Sequence, residues 1–251
     1  MVEIYILAGG GTGGHLLPGV AVADALIERD ASAKVVFACS NRPIDRRVLD
    51  ALPYGLVPQP VRPLPRSAAQ LPGFWRAWRR SKALARDLVG DLKPAAVLGL
   101  GGFAAAPVVR AAARAGTRTA LLNPDAVAGK ANRYLARRVD TVFTQFELTR
   151  GLSETPVAGK VRCVGCPVRK SILSGNRAEA LRFFDLRDDR RTLLVLGGSQ
   201  GAGTINEAVR TIQRDLEALA GEWQVLHVTG PGKGAPLAPD RQGELLSLIH
   251  I

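Results

Sequence analysis

Residues 9–15 read Gly-Gly-Gly-Thr-Gly-Gly-His, close behind the apolar run Ile4-Tyr5-Ile6-Leu7-Ala8. Missing Cβ atoms let backbone N–H groups approach an anion closely. The loop opens a helical pattern, and a helix N-terminus favours negative charge. The spacing also satisfies Gly-x-Gly-x-x-Gly between a strand and a helix, which points to a phosphate. Two phosphate chemistries are disfavoured. A nicotinamide dinucleotide needs an acid at the end of the second strand to hold the ribose, and that strand here ends Ala38-Cys39-Ser40-Asn41. A P-loop needs a lysine that this loop lacks. His15 stands where the helix begins. A neutral imidazole there has two uses: taking a proton from a hydroxyl nucleophile, or capping the helix and donating to a phosphate. Residue chemistry alone leaves both open.

The elements that position these residues alternate along the chain. Strand-like apolar runs lie at 3–8, 34–39, 95–100, 118–122, 141–145, 192–196 and 224–229. Helical patterns lie at 18–29, 74–89, 104–115, 128–137 and 204–220. Short, unalternating strands with helices between them predict an α/β protein with parallel sheets covered on both faces. Strand, glycine loop and helix recur at Gly197-Gly198-Ser199-Gln200-Gly201. The expectation is two Rossmann-like lobes, 1–160 and 161–245, joined near Pro156, Gly159, Gly165 and Pro167. The second lobe reads as incomplete, because one strand–helix–strand unit falls short of the roughly 100 residues of an ordinary domain. Residues 246–251, Leu-Ser-Leu-Ile-His-Ile, read as a non-native tail similar to a translated sequencing adapter.

At 251 residues, 47% hydrophobic and 22% charged, the chain can bury a core. Its net charge of +12 comes mostly from arginine. Nucleic acid, an anionic membrane surface or a phosphorylated substrate each suit that balance, as does a codon bias toward arginine. No nucleic-acid-binding module is legible, so no nucleic-acid partner is expected. The N-terminus has no basic segment of a signal peptide, and the uncharged run 94–109 is too short to span a bilayer. Three cysteines give no disulfide framework and fit a reducing compartment. Cys163-x-x-Cys166 lacks the second pair that a zinc site needs. The segment 72–88 gathers Phe74, Trp75 and Trp78 with Arg76, Arg79, Arg80, Lys82 and Arg86. Such a helix either rests on anionic lipid through Phe74, Trp75, Trp78 and Arg79, or packs its aromatics inward and leaves its arginines solvated.

"GGTGGHLLPGVAVADAL", "VLGLGGFAAAPVVRAA", "AGKANRYLARRVDTVF", "VGCPVRKSIL" and "LLVLGGSQGAGTINEAV" occur in that order. Together they resemble the MurG family of N-acetylglucosaminyltransferases of peptidoglycan synthesis. The resemblance implies a GT-B glycosyltransferase of two Rossmann-like lobes, inverting, with no metal and no cofactor. Its donor would be UDP-N-acetylglucosamine. Its acceptor would be the undecaprenyl-pyrophosphate-linked muramyl pentapeptide, lipid I, and its product lipid II. It would work peripherally on the cytoplasmic side of the inner membrane. By the same resemblance His15 is the base, while Gly10, Gly11, Gly13, Gly14, Gly101, Gly102 and Phe103 face the acceptor pyrophosphate. Thr12, Gly13, Gly14, Asp125, Arg169 and Ser199 hold the donor. Arginine is apt there, because its fork pairs with a diphosphate without a metal. The family's missing carboxy-terminal part implies little transferase activity for this polypeptide alone.

The chain departs from the family pattern in three places. Leu122-Asn123-Pro124-Asp125 replaces His-Glu-Gln-Asn, putting a carboxylate where an amide contacts the donor sugar. Ala105-Ala106-Pro107 replaces Ser-Gly-Pro, and Cys166 replaces the Asn before Pro-Val-Arg. The first change raises a related transferase with another UDP-sugar as the alternative; a non-catalytic phosphate-binding module is the other.

Overall fold

A computed structural model describes residues 2–11, 13–198 and 201–233, together with the backbone of 246–249. The chain divides into two compact units, Met1–Leu173 and Ser174–Ile251.

The first unit is a seven-stranded sheet. Its strands are β1 (Ile4–Gly9), β2 (Lys34–Ser40), β3 (Gly55–Gln59), β4 (Ala96–Gly101), β5 (Arg118–Asn123), β6 (Thr141–Thr144) and β7 (Val161–Cys163). They pair in the order β3-β2-β1-β4-β5-β6-β7, all parallel. The helices are α1 (Gly13–Arg29), α2 (Pro43–Leu49), α3 (Leu71–Leu92), α4 (Ala105–Arg114), α5 (Lys130–Ala136) and the short α6 (Lys170–Leu173).

The apolar strand runs lack alternation because both faces of this sheet are covered. Within β1, Ile6 and Ala8 join a cluster with Ala85, Val89, Val108 and Leu135 from α3, α4 and α5. Leu7 points the other way, into a cluster with Leu16, Val20 and Leu49 from α1 and α2 and with Phe37 of β2. Each buried Leu or Phe stabilises the unit by roughly 1.5–3 kcal/mol relative to exposure. Helix α3 stops where Lys93 takes a left-handed conformation, φ 44°, ahead of Pro94, a residue that disfavours helix before it.

Helix α1 begins at Gly13 rather than at Pro18 as the pattern suggested, and Pro18 lies inside it. Proline there costs one intrahelical bond, but Gly19 lies tight against Leu100 and the turn stays packed. The boundary between units also falls later than the expected 160. Strand β7 extends the first sheet beside β6, and Lys170 of α6 pairs with Glu28 of α1.

The second unit contains α7 (Arg177–Phe183), β8 (Arg191–Leu196), α8 (Gly203–Thr211), α9 (Gln213–Glu217), β9 (Trp223–Val228) and β10 (Leu246–Ile249). Its sheet runs β10-β9-β8, again parallel. Asn176 caps α7 by accepting from Ala178 N and Glu179 N at 2.9 and 3.3 Å. In the first unit the strand bearing the glycine loop, β1, lies between two neighbours. In the second, β8 pairs with β9 alone among the described residues, and Leu193, Leu194 and Leu196 are exposed.

His227 is buried on β9, with Nε2 3.0 Å from Asn206 Oδ1 of α8; Asn206 in turn donates to Thr229 O at 3.0 Å. Burial lowers the His227 pKa below its usual value of 6.5. The unfolded chain therefore binds more protons, and stability falls as pH drops below about 6.5. Amide protection factors across β9, corrected for the pH dependence of intrinsic exchange, should fall between pH 7 and 5 in the parent, with that fall reduced in His227→Gln. An equal pH response in both proteins would contradict this linkage.

Candidate functional site

The carboxyl ends of β1, β4 and β5 carry most of the chemistry-bearing residues, as in other open parallel sheets. Strand β1 runs into Gly10 and Gly11, and α1 begins at Gly13. Behind this loop lies Asp45 of α2, fully buried. Its carboxylate accepts Gly11 N–H at 2.8 and 3.0 Å, Ser40 N–H at 2.9 Å, and the Ser40 hydroxyl. A buried carboxylate demands such donors, because leaving it bare costs several kcal/mol. Gly10 has φ 143°, and a methyl group there would collide with Asp45 Oδ2. The staple thus requires glycine at that position. It also engages the Gly11 amide, so Gly11 serves the loop through its shape rather than as a hydrogen-bond donor to a ligand.

The second glycine turn, Gly101-Gly102, closes on the first. A Cβ on Gly101, whose φ is 97°, would sit 3.0 Å from His15 Cδ2, 3.3 Å from His15 Nε2 and 3.3 Å from Asn132 Nδ2. A Cβ on Gly102 would sit 2.9 Å from Gly10 O and 3.7 Å from His15 Nδ1. The half-buried His15 ring is therefore held against this turn, at the start of α1. Gly10, Gly11, His15, Gly101, Gly102 and Phe103 are brought together, with Gly13 and Gly14 opening α1 beside them. Gly13 and Gly14 have open space where a Cβ would be. The amides at the start of a helix lack intrahelical acceptors and favour an anion, and the first turn of α1 carries no acid to repel one.

Phe103 anchors the other side. Its ring lies near Gly11 and under the Arg42 guanidinium, 5.2 Å from ring centroid to Cζ, and Arg42 Nη1 donates to Gly11 O at 3.1 Å. Asn132 of α5 donates to Asn123 Oδ1 at 2.8 Å, and Asn123 Nδ2 donates to Asp125 O at 2.6 Å. This relay ties the exposed Asp125 to the end of β5. Arg169 follows β7 and, among the described residues, makes no hydrogen bond or ion pair with the glycine loops. Thr12 and Ser199 lie outside the described residues.

Sequence reasoning missed Asp45, Arg42, Asn123 and Asn132. The acid sought at the end of β2 is present five residues past Ser40, on α2, where it binds the protein's own loop instead of a ribose. The proline at the start of α2 marks the turn that aims it. Cys39, next to this staple, is no nucleophile: burial first, and then the Asp45 charge, push its thiol up to about 12. Cys163 is exposed and Cys166 partly buried. Among the described residues no group of three or more His, Cys, Asp or Glu side chains is disposed to hold a metal.

Helix α3 presents an aromatic surface on the same unit. Phe74 stacks on Trp78 at 6.3 Å and meets Trp75 edge-on at 5.8 Å. Trp75 is 54% exposed, Arg79 is exposed, and Trp78 is half-buried against the core. The inward-packing reading holds for Trp78, while Trp75 and Arg79 stay at the surface. Phe74, Trp75, Trp78, Phe103 and Tyr134 line an apolar cavity of about 400 Å³, rimmed by Arg62, Arg110 and Lys130. Burial, then repulsion from Arg114 and Arg138, lowers the Arg110 pKa. No described helix is long and apolar enough to cross a membrane.

A parallel Rossmann-like sheet with a glycine loop, followed by a unit that repeats the motif, defines the GT-B glycosyltransferase fold. Residues 5–144 match the glycosyltransferase family 28 N-terminal domain and residues 192–250 its C-terminal domain; the chain belongs to that family. It is similar to a UDP-N-acetylglucosamine–N-acetylmuramyl-(pentapeptide) pyrophosphoryl-undecaprenol N-acetylglucosamine transferase of Leifsonia xyli, with 39% identity covering 92% of this chain and 63% of that protein. Proteins of the same description from Syntrophus aciditrophicus and Mycobacterium bovis are 34% and 37% identical, over 92% and 95% of this chain and 62% and 59% of theirs. The chain thus spans about three fifths of these relatives' length. Among solved structures, Acinetobacter baumannii MurG superimposes with a TM-score of 0.64 at 22% identity, over 99% of this chain and 66% of that one. A UDP-GlcNAc 2-epimerase from Methanocaldococcus jannaschii gives 0.63 at 12% identity, over 99% and 73%. A fold shared by a transferase and an epimerase does not choose between their reactions.

Replacing Asp45 with Asn sets an amide donor against the inward-facing N–H groups of the loop. The substitution should lower unfolding stability by about 1–3 kcal/mol, read by urea denaturation. An unchanged midpoint would show that the staple is dispensable.

Proposed function

We propose that this chain carries the acceptor lobe and part of the donor lobe of an inverting glycosyltransferase that moves N-acetylglucosamine from UDP-N-acetylglucosamine to lipid I. The observation that carries this reading is His15, held between two glycine turns at the amino end of α1. The amides of Gly13 and Gly14 and the turn at Gly102 and Phe103 receive the acceptor pyrophosphate. By resemblance alone, Asp125, Arg169, Thr12 and Ser199 are assigned to the nucleotide sugar.

In this reaction the acceptor hydroxyl attacks the anomeric carbon as its proton passes to the His15 imidazole. The bond from that carbon to the diphosphate oxygen breaks, the anomeric configuration inverts, and UDP leaves. Positive charge offsets the negative charge growing on UDP, a role suited to Arg169. Exposed Trp75 and Arg79, with the half-buried Phe74 and Trp78 beside them, rest on the anionic cytoplasmic face of the inner membrane, where a polyprenyl acceptor resides. The +12 charge favours that surface. An epimerase has no need of such a surface or of a lipid pyrophosphate.

Asp125 favours a second reading, a related transferase for another UDP-sugar, since its carboxylate lies exposed at the end of β5. Transfer to lipid I from labelled UDP-N-acetylglucosamine, with unlabelled UDP-glucose and UDP-galactose as competitors, separates the two. Assayed in the full-length enzyme, His15→Ala should reduce kcat by roughly 10²–10⁴-fold without abolishing donor binding. Undiminished transfer in that variant would remove His15 as the base, and preferential use of a competitor would favour the second reading.

A further inference from the structure

The pyrophosphate loop lacks a lysine, its Gly11 amide is turned inward, and a buried carboxylate stands directly behind it. A doubly phosphorylated ligand at this loop therefore meets an unfavourable negative charge from Asp45. The first amides of α1 offset part of that charge, and a cation at the loop is needed to offset the rest.

Arg42 supplies one. Its Nη1 donates to Gly11 O at 3.1 Å, and its guanidinium lies 5.2 Å from the Phe103 centroid. These contacts hold it against both glycine turns at once. Arg42 is exposed, and none of the ion pairs among the described residues involves it. Arginine carries five N–H donors in a rigid fork suited to phosphate oxygens, and the Gly11 contact uses one. Ser40 and Asp45 fix the segment from which Arg42 projects: Asp45 N–H bonds back to Arg42 O at 3.0 Å, and Asp45 binds Ser40. The guanidinium is thus placed before any ligand arrives.

We propose that Arg42 is a diphosphate-binding residue for the lipid acceptor, its guanidinium bridging the pyrophosphate oxygens above the loop. The proposal rests on the acceptor reading of that loop given above. The ligand class is a polyprenyl pyrophosphate, rather than the nucleotide diphosphate of the donor.

Calorimetry on the 251-residue chain, with farnesyl pyrophosphate and with UDP as probes, tests this directly. Arg42→Gln should weaken farnesyl pyrophosphate binding roughly tenfold, the loss of one charge-assisted contact, and leave UDP binding unchanged. Arg42→Lys, which keeps the charge but not the fork, should lose less. The Gly11 amide resonance of ligand-free Arg42→Gln should stay in place, because Asp45 still holds the loop. Equal farnesyl pyrophosphate affinity in parent and Arg42→Gln would overturn the proposal alone. Equal weakening toward UDP would overturn it by reassigning Arg42 to the nucleotide. A displaced Gly11 resonance accompanying the loss would overturn it in favour of a loop-shaping role. Absence of farnesyl pyrophosphate binding by the parent would overturn the acceptor reading and this proposal together.

Discussion

The Asp45 carboxylate, on α2, joins the loop after β1, 34 residues away in sequence, to the end of β2 just before it. Four hydrogen bonds converge on it in a site closed to water. Each compensates for the desolvation of the charge, and together they leave the loop one conformation. Much of the site geometry follows from that constraint. Gly10 must lack a side chain because the carboxylate occupies the space. Gly11 O faces outward, where Arg42 reaches it. Gly10 O comes close to Gly102, and the second turn packs against the first with His15 beside it. A loop of this composition is floppy by itself, since glycine has the most conformational freedom to lose. The buried charge converts that freedom into a fixed anion cradle.

The same arrangement sets the electrostatics. A negative charge behind the loop opposes an incoming phosphate, so the front of the loop depends on the amides that open α1 and on cations held nearby. The wider unit follows the same sign. Arg62, Arg110 and Lys130 rim an apolar cavity that begins at Phe103 and continues to the aromatics of α3. An amphiphile with an anionic head and a hydrocarbon body matches that sequence of surfaces, which is the chemistry of the proposed acceptor. Exposed arginines elsewhere contribute a diffuse attraction, screened beyond about 10 Å at ordinary salt.

The glycine loop, its histidine and the strand–helix alternation were legible because they depend on contiguous residues. Runs such as Ile4–Ala8 are apolar throughout when both faces of a sheet are covered, and that pattern survives in one dimension. Strand β3 was not legible, because Pro58 interrupts it; proline is tolerated only because β3 is an edge strand. Strand β7 was too short to register, and its pairing with β6 moved the unit boundary from the expected 160 to Leu173. The start of α1 was misplaced because Pro18 is a good first-turn residue, yet here it sits a turn deeper. Asp45 and Arg42 were hidden for a different reason. Their partners lie 34 and 31 residues away, and no local periodicity encodes a hydrogen bond across that separation.

The claim that the glycine loop at the start of α1 holds a lipid-linked pyrophosphate beside His15 is open to direct observation. The most telling measurement is an amide chemical-shift titration of the ¹⁵N-labelled chain with farnesyl pyrophosphate. The expected result is saturable movement at Gly13, Gly14, His15 and Gly102, with β8 and β9 of the second unit unaffected. Shifts confined to the second unit, or none at the first-unit loops, would contradict it.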